Sequence, residues 1–134
     1  MRRGLLLALV LGGLLAGCGG ETDRTATPET VIGTMKTVDL SQGDAAAGKE
    51  IFTKTASPAC STCHTYKPAG STAQVGPDLD QALQGKDPEF ILESITNPSA
   101  EVTSGFQDIM PKEYRTQLDD KQLADLVAFL QPKS

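Results

Sequence analysis

The chain has 134 residues, 39% of them hydrophobic and 4% aromatic, with no Trp, three Cys and one His, which is the size and make-up of a single small domain. Seventeen acidic against 12 basic residues give a net charge of −5, which excludes the clustered positive footprint of a nucleic-acid binder. One histidine excludes any site that needs two imidazoles, and three cysteines do not make a dense secreted disulfide framework.

At the N-terminus Arg2 and Arg3 precede an apolar run from Gly4 to Ala16, the pattern of a signal peptide. The run is shorter than the ~20 apolar residues that a spanning helix wants. Arg2-Arg3 lacks the rest of a twin-arginine signal and reads as the charged n-region. The run ends in Leu15-Ala16-Gly17-Cys18, which resembles the lipobox of bacterial lipoproteins. That resemblance implies that residues 1–17 are removed and that Cys18, lipidated on its thiol, becomes the mature N-terminus and anchors the protein to a membrane. The alternative is an ordinary secreted chain cut nearby, with Cys18 left as a thiol. Loss of Arg2 and Arg3 makes the mature chain still more acidic, so its partners are expected to be basic or indifferent to charge. Residues 18–42, rich in Gly, Thr, Pro and charge, read as a flexible tether. Within it Val31, Met35 and Val38 suit either a helical turn or a strand lying on the domain.

Residues 43–134 form the expected domain. Asp44 is a candidate N-cap for a first helix running from Ala45 to about Thr55. Cys60-Ser61-Thr62-Cys63-His64 follows, the C-x-x-C-H spacing of covalent c-type haem attachment. Two thiols three residues apart can each add to one vinyl group of a porphyrin, and the next residue brings an imidazole to the iron. A thioredoxin-like pair would need a βαβ context, and a zinc site would need a fourth ligand that a chain with one His and a distant Cys18 does not supply. A porphyrin would also supply core volume to a domain with four Phe and two Tyr.

Beyond the motif, Asp78 to Leu83 suits a short helix closed near Gly85. Asp87-Pro88 supplies an N-cap with proline at the first helical position, and Phe90, Ile91 and Ile95 give an apolar face ending before Asn97-Pro98, so a helix is predicted over 88–96. Asp119 and Gln122 form a capping-box pair ahead of Leu123, Leu126, Val127 and Leu130 at helical spacing, which predicts a last helix over 120–131. No stretch alternates as a strand would, so the predicted class is all-α.

With these residues in hand, 43–131 resembles a class I c-type cytochrome, a small helical fold packed around one covalent haem c. Cys60, Cys63 and His64 match the family's attachment and proximal-ligand positions. Gly76-Pro77-Asp78-Leu79 matches its Gly-Pro-x-Leu segment, and by that similarity the Pro77 carbonyl takes the Nδ1 proton of His64; otherwise the Gly-Pro pair is a plain turn. Gly48 and Phe52 on the first helix, with Leu126 and Phe129 on the last, match the family's close helix crossing. For the sixth iron position the candidates are Met, Lys or an open site. Met1 leaves with the signal peptide and Met35 lies in the tether, so Met110 remains; its Met-Pro context resembles the family's axial methionine, against packing elsewhere as a loop residue.

The resemblance implies an electron carrier rather than an enzyme, passing one electron at a time at the outer face of the bacterial cytoplasmic membrane or in the periplasm. Expected partners are a quinol-oxidising complex and a terminal oxidase, and no nucleic acid. Lys54, Lys67, Lys112 and Arg115 lie near the two ligands in sequence and form either a local positive rim or ordinary solvated cations. The rivals are an open-site haem enzyme or gas sensor, for which no distal histidine is left, and a docked subunit of an oxidase, which the same tether would suit.

Overall fold

A computed structural model describes residues 37–132. The proposed signal peptide, Cys18 and Met35 lie outside the described residues.

The helix starts follow the capping chemistry of the sequence. The Asp44 carboxylate accepts from the N–H groups of Ala46 at 2.8 Å and Ala47 at 3.4 Å, and α1 runs over Ala45–Glu50. It continues as a wider π-helical turn over Ile51–Thr55, closed by the Ala56 N–H on the Ile51 carbonyl. The short α2 covers Leu79–Ala82 behind Asp78. α3 covers Pro88–Thr96, with Asp87 accepting from Phe90 N–H at 2.7 Å, and it stops at Asn97 because the next residue is proline. The last helix, α5, covers Asp120–Leu130 behind a complete Asp119–Gln122 capping box. Between α3 and α5 lies α4, Tyr114–Gln117, a single turn with no signal in the sequence.

The described residues are helix-dominated, as the all-α reading expects, with one small hairpin added. Strand β1, Thr65–Tyr66, pairs antiparallel with β2, Ser71–Thr72, across a turn in which Gly70 takes φ +73°. Two residues per strand are too few for alternation to register in a sequence. At the N-terminal border, the stretch read as a helical turn or a strand lying on the domain is described from residue 37 onward. Val38 and Leu40 pack against the core, and a 3-10 turn over Leu40–Gln42 lies against α5.

The first and last α-helices of the described residues, α1 and α5, cross each other. A Cβ on Gly48 would overlap the Asp125 carbonyl and stand 2.7 Å from Phe129 Cβ, so only glycine lets the two backbones approach this closely. Gly43 acts likewise, a turn earlier, against Ala124 and Ala128. Phe52, Tyr66 and Phe129 fill the flank as a three-ring cluster with centroids 5.3 to 5.7 Å apart. The Tyr66 hydroxyl donates to the Phe129 carbonyl at 3.0 Å, which satisfies a backbone acceptor in the last turn of α5.

Asp125 is buried at the crossing, 4% exposed. Its carboxylate accepts from the Asp44 N–H at 2.6 Å and from the Lys121 ammonium. It thereby ties the start of α1 to the middle of α5. Burial pushes the carboxyl up, but hydrogen bonds from Lys121 and the Asp44 N–H, with the Lys121 charge, outweigh it and hold the group below its ordinary 3.8. A depressed folded-state pKa contributes stability above the unfolded value that is lost as pH falls through the folded one. Asp125→Asn is therefore expected to cost about 1–2 kcal/mol at pH 7, and denaturant unfolding should show the gap from the native protein narrowing as pH drops below 3.8. A gap that stayed constant into that range would show that the charge on Asp125 does not hold the crossing.

Candidate haem site

The cysteine pair lies on a 3-10 turn, Cys60–Thr62, that follows the π-helical end of α1. The Cys60 carbonyl accepts from both Cys63 N–H at 3.1 Å and His64 N–H at 3.0 Å, and Thr62 caps back onto the Ala59 carbonyl through backbone and hydroxyl. This tight turn places Cys60, Cys63 and His64 in the lining of a cavity of about 420 Å³, within the range of ligand and cofactor sites. Leu83 of the loop after α2, Ile91 and Ile95 from α3, and Leu126 and Leu130 from α5 supply apolar walls, and Met110 with Pro111 lines it too.

His64 is fixed from two directions. Its Nδ1–H donates to the Pro77 carbonyl at 2.9 Å, which leaves the lone pair on Nε2. Gly76 lies against the ring face: a Cβ there would stand 2.6 Å from Cε1 and 2.9 Å from Nδ1. The Gly76 N–H in turn donates to the Cys63 carbonyl at 2.8 Å, so the Gly-Pro segment is sewn to the cysteine turn. Burial lowers the imidazole pKa, with the Pro77 bond opposing. Burial likewise pushes the Cys60 thiol up to about 11.

The expected residues Cys60, Cys63, His64, Pro77 and Met110 thus all border one cavity. Sequence reasoning missed further residues that line it. Tyr114 is buried, donates its hydroxyl to the Pro58 carbonyl at 2.8 Å and is pushed up to about 12 by burial and the nearby thiols. Lys86 holds its ammonium 3.9 Å from the centre of the Phe90 ring, a cation–π contact at the cavity edge. Among the described residues, the large exposed hydrophobic side chains Val75, Val102, Phe106 and Ile109 all border the same cavity. The positive rim does not form as a set: Lys54 pairs with Glu50 at 2.9 Å, Lys112 with Asp108 at 3.3 Å and Arg115 with Asp120 at 3.1 Å.

The donor set and its wall fit a covalently held porphyrin: two half-buried thiols on one turn, an imidazole with its tautomer fixed, and a mostly apolar enclosure. These features define a c-type haem protein. Residues 45–133 match the sequence profile of the cytochrome c family, so the chain belongs to that family, whose members are electron carriers binding haem c covalently. Among solved structures, the c-type cytochrome SorU from Sinorhizobium meliloti is similar at 27% identity, over 64% of this chain and 85% of that one, with a TM-score of 0.47. No curated protein matches the chain.

Gly76→Ala tests the packing on His64. The added methyl must displace the ring from the Pro77 carbonyl, and loss of such an orienting contact typically costs a metal site ~10-fold or more. The variant, produced with the haem-attachment machinery, is expected to give markedly less haem absorbance per polypeptide than the native protein.

Proposed function

We propose that this protein is a membrane-tethered one-electron carrier whose single haem c is attached through Cys60 and Cys63 and ligated by His64 and Met110. The observation that carries the reading is the convergence of an imidazole oriented by Pro77 and a thioether, Met110, on one apolar cavity. When bound, the haem supplies an iron that cycles between two oxidation states. The chain's own residues do the rest. Pro77 holds the His64 proton on Nδ1 and keeps Nε2 basic. Met110 contributes a soft sulfur that favours the reduced state and raises the potential. Pro111 restricts the backbone beside it. The apolar walls keep water from the site. Since His64 is the chain's one histidine, no second imidazole serves as a distal acid–base group.

The Leu15-Ala16-Gly17-Cys18 sequence supports the working place we propose. Cys18, acylated as the first residue of the mature chain, would hold the domain at the outer face of the cytoplasmic membrane or on its periplasmic side. Residues 19 to about 36 would give it reach. A quinol-oxidising complex as donor and a terminal oxidase as acceptor suit such a carrier.

Three results test this reading. Met110→Ala is expected to lower the reduction potential, remove the ferric iron–sulfur charge-transfer band and admit carbon monoxide to the reduced protein. Rapid carbon monoxide binding by the native protein would instead favour an open-site sensor or enzyme. Two or more acyl chains give stable membrane residence, so Cys18→Ala should appear in the soluble fraction with its haem intact. Mixed anaerobically with host membranes and then given oxygen, the reduced protein should be oxidised faster than by oxygen alone, and an oxidase inhibitor should block the difference.

A further inference from the structure

Met110 is carried by a segment without regular secondary structure, from the end of α3 at Thr96 to the start of α4 at Tyr114. Its backbone hydrogen bonds are local turns: Ala100 N–H to Asn97, Phe106 N–H to Thr103, and Ile109 N–H to Gln107. None of these joins the outgoing limb of the segment to the returning one. Side chains do so at one residue. The Ser99 hydroxyl reaches both Asp108 oxygens, Oδ1 at 3.0 Å and Oδ2 at 2.9 Å, and Lys112 Nζ donates to Asp108 Oδ2 at 3.3 Å. Among the described residues, every side-chain hydrogen bond within this segment ends on Asp108.

The placement of that carboxylate matters. Ser99 lies on the outgoing limb and Asp108 on the returning one, so their bond closes the loop on itself. Asp108 and Lys112 stand two residues before and two after Met110. The residue between Met110 and Lys112 is Pro111, whose ring fixes one backbone dihedral. The Ser99–Asp108 bond thus ties down the limb that carries Met110.

We propose that Asp108, clasped by Ser99 and Lys112, is a positioning residue that holds Met110 in the cavity and sets how readily the iron's sixth position opens. The inference rests on the assignment of Met110 as ligand made above. It concerns a local opening rather than global unfolding, so one charge-assisted hydrogen bond is enough to change the open population several-fold.

The experiment uses the full-length, haem-loaded ferric protein. Cyanide reaches the iron only when Met110 has left, so its association rate reports the open population. Ser99→Ala removes one hydroxyl at an exposed position, and Asp108→Ala removes the acceptor. Both are expected to speed cyanide binding roughly fivefold and to weaken the iron–sulfur band, with Ser99→Thr, which keeps the hydroxyl, restoring the native rate. Thermal unfolding of the same variants separates the role from a general one, since loss of stability alone leaves the band of the folded protein unchanged. Native cyanide rates in both alanine variants would overturn the proposal, as would a Ser99→Thr rate equal to that of Ser99→Ala. Met110→Ala separates the two claims. If it loses the band while the clasp variants behave as the native protein does, only the clasp is wrong; if it keeps the band, the ligand assignment fails and the clasp proposal with it.

Discussion

The contact on which the rest depends is the crossing of α1 and α5 at Gly48. The helices come from opposite ends of the domain, and only a residue without a Cβ admits the Asp125 carbonyl at that point. Once they are joined, the π-helical end of α1 delivers the cysteine turn to the cavity wall, while Leu126 and Leu130 of α5 contribute to that same wall. Asp125 and the Phe52, Tyr66 and Phe129 rings hold the crossing from either side. The site is therefore a consequence of a backbone approach made elsewhere.

Two different kinds of constraint act on His64 and Met110, the two residues proposed as iron ligands. His64 stands on a tight turn, with its ring held between a carbonyl and a glycine face, both from the nearby Gly76-Pro77 segment. Met110 stands on an irregular segment whose returning limb is tied by side chains alone. One arm is rigid and the other is closed by a few polar contacts. If both residues ligate a haem iron as proposed, the less constrained arm is the one that a substitution would loosen first.

Much of this was readable from the amino-acid order because it is local. The Asp44, Asp87 and Asp119–Gln122 caps, the C-x-x-C-H turn and the Gly76-Pro77 segment each act within a short stretch of chain, and α3 starts and stops where the Asp-Pro and Asn-Pro pairs put it. Gly48 was readable through its match to a known crossing. What escaped is set by partners far along the chain. Nothing near Asp125 announces that it will be buried against the Asp44 N–H, nor does Tyr66 advertise a bond to the end of α5. The four cations read as either a rim or ordinary solvated side chains were grouped by sequence distance, and three of them pair with carboxylates at the surface. Val38 and Leu40 pack against the core, but so few apolar residues amid polar ones left a helical turn and a strand lying on the domain equally open.

The central claim is that His64 and Met110, which line the same cavity, would hold one haem iron between them. Methyl-labelled methionine gives the most direct test, in the reduced, diamagnetic haem protein. A methyl held over the porphyrin face is strongly shielded by the ring current, so one methionine methyl resonance should lie far upfield of the others and vanish in Met110→Ala. All methionine methyls at ordinary positions in the native protein would contradict the account.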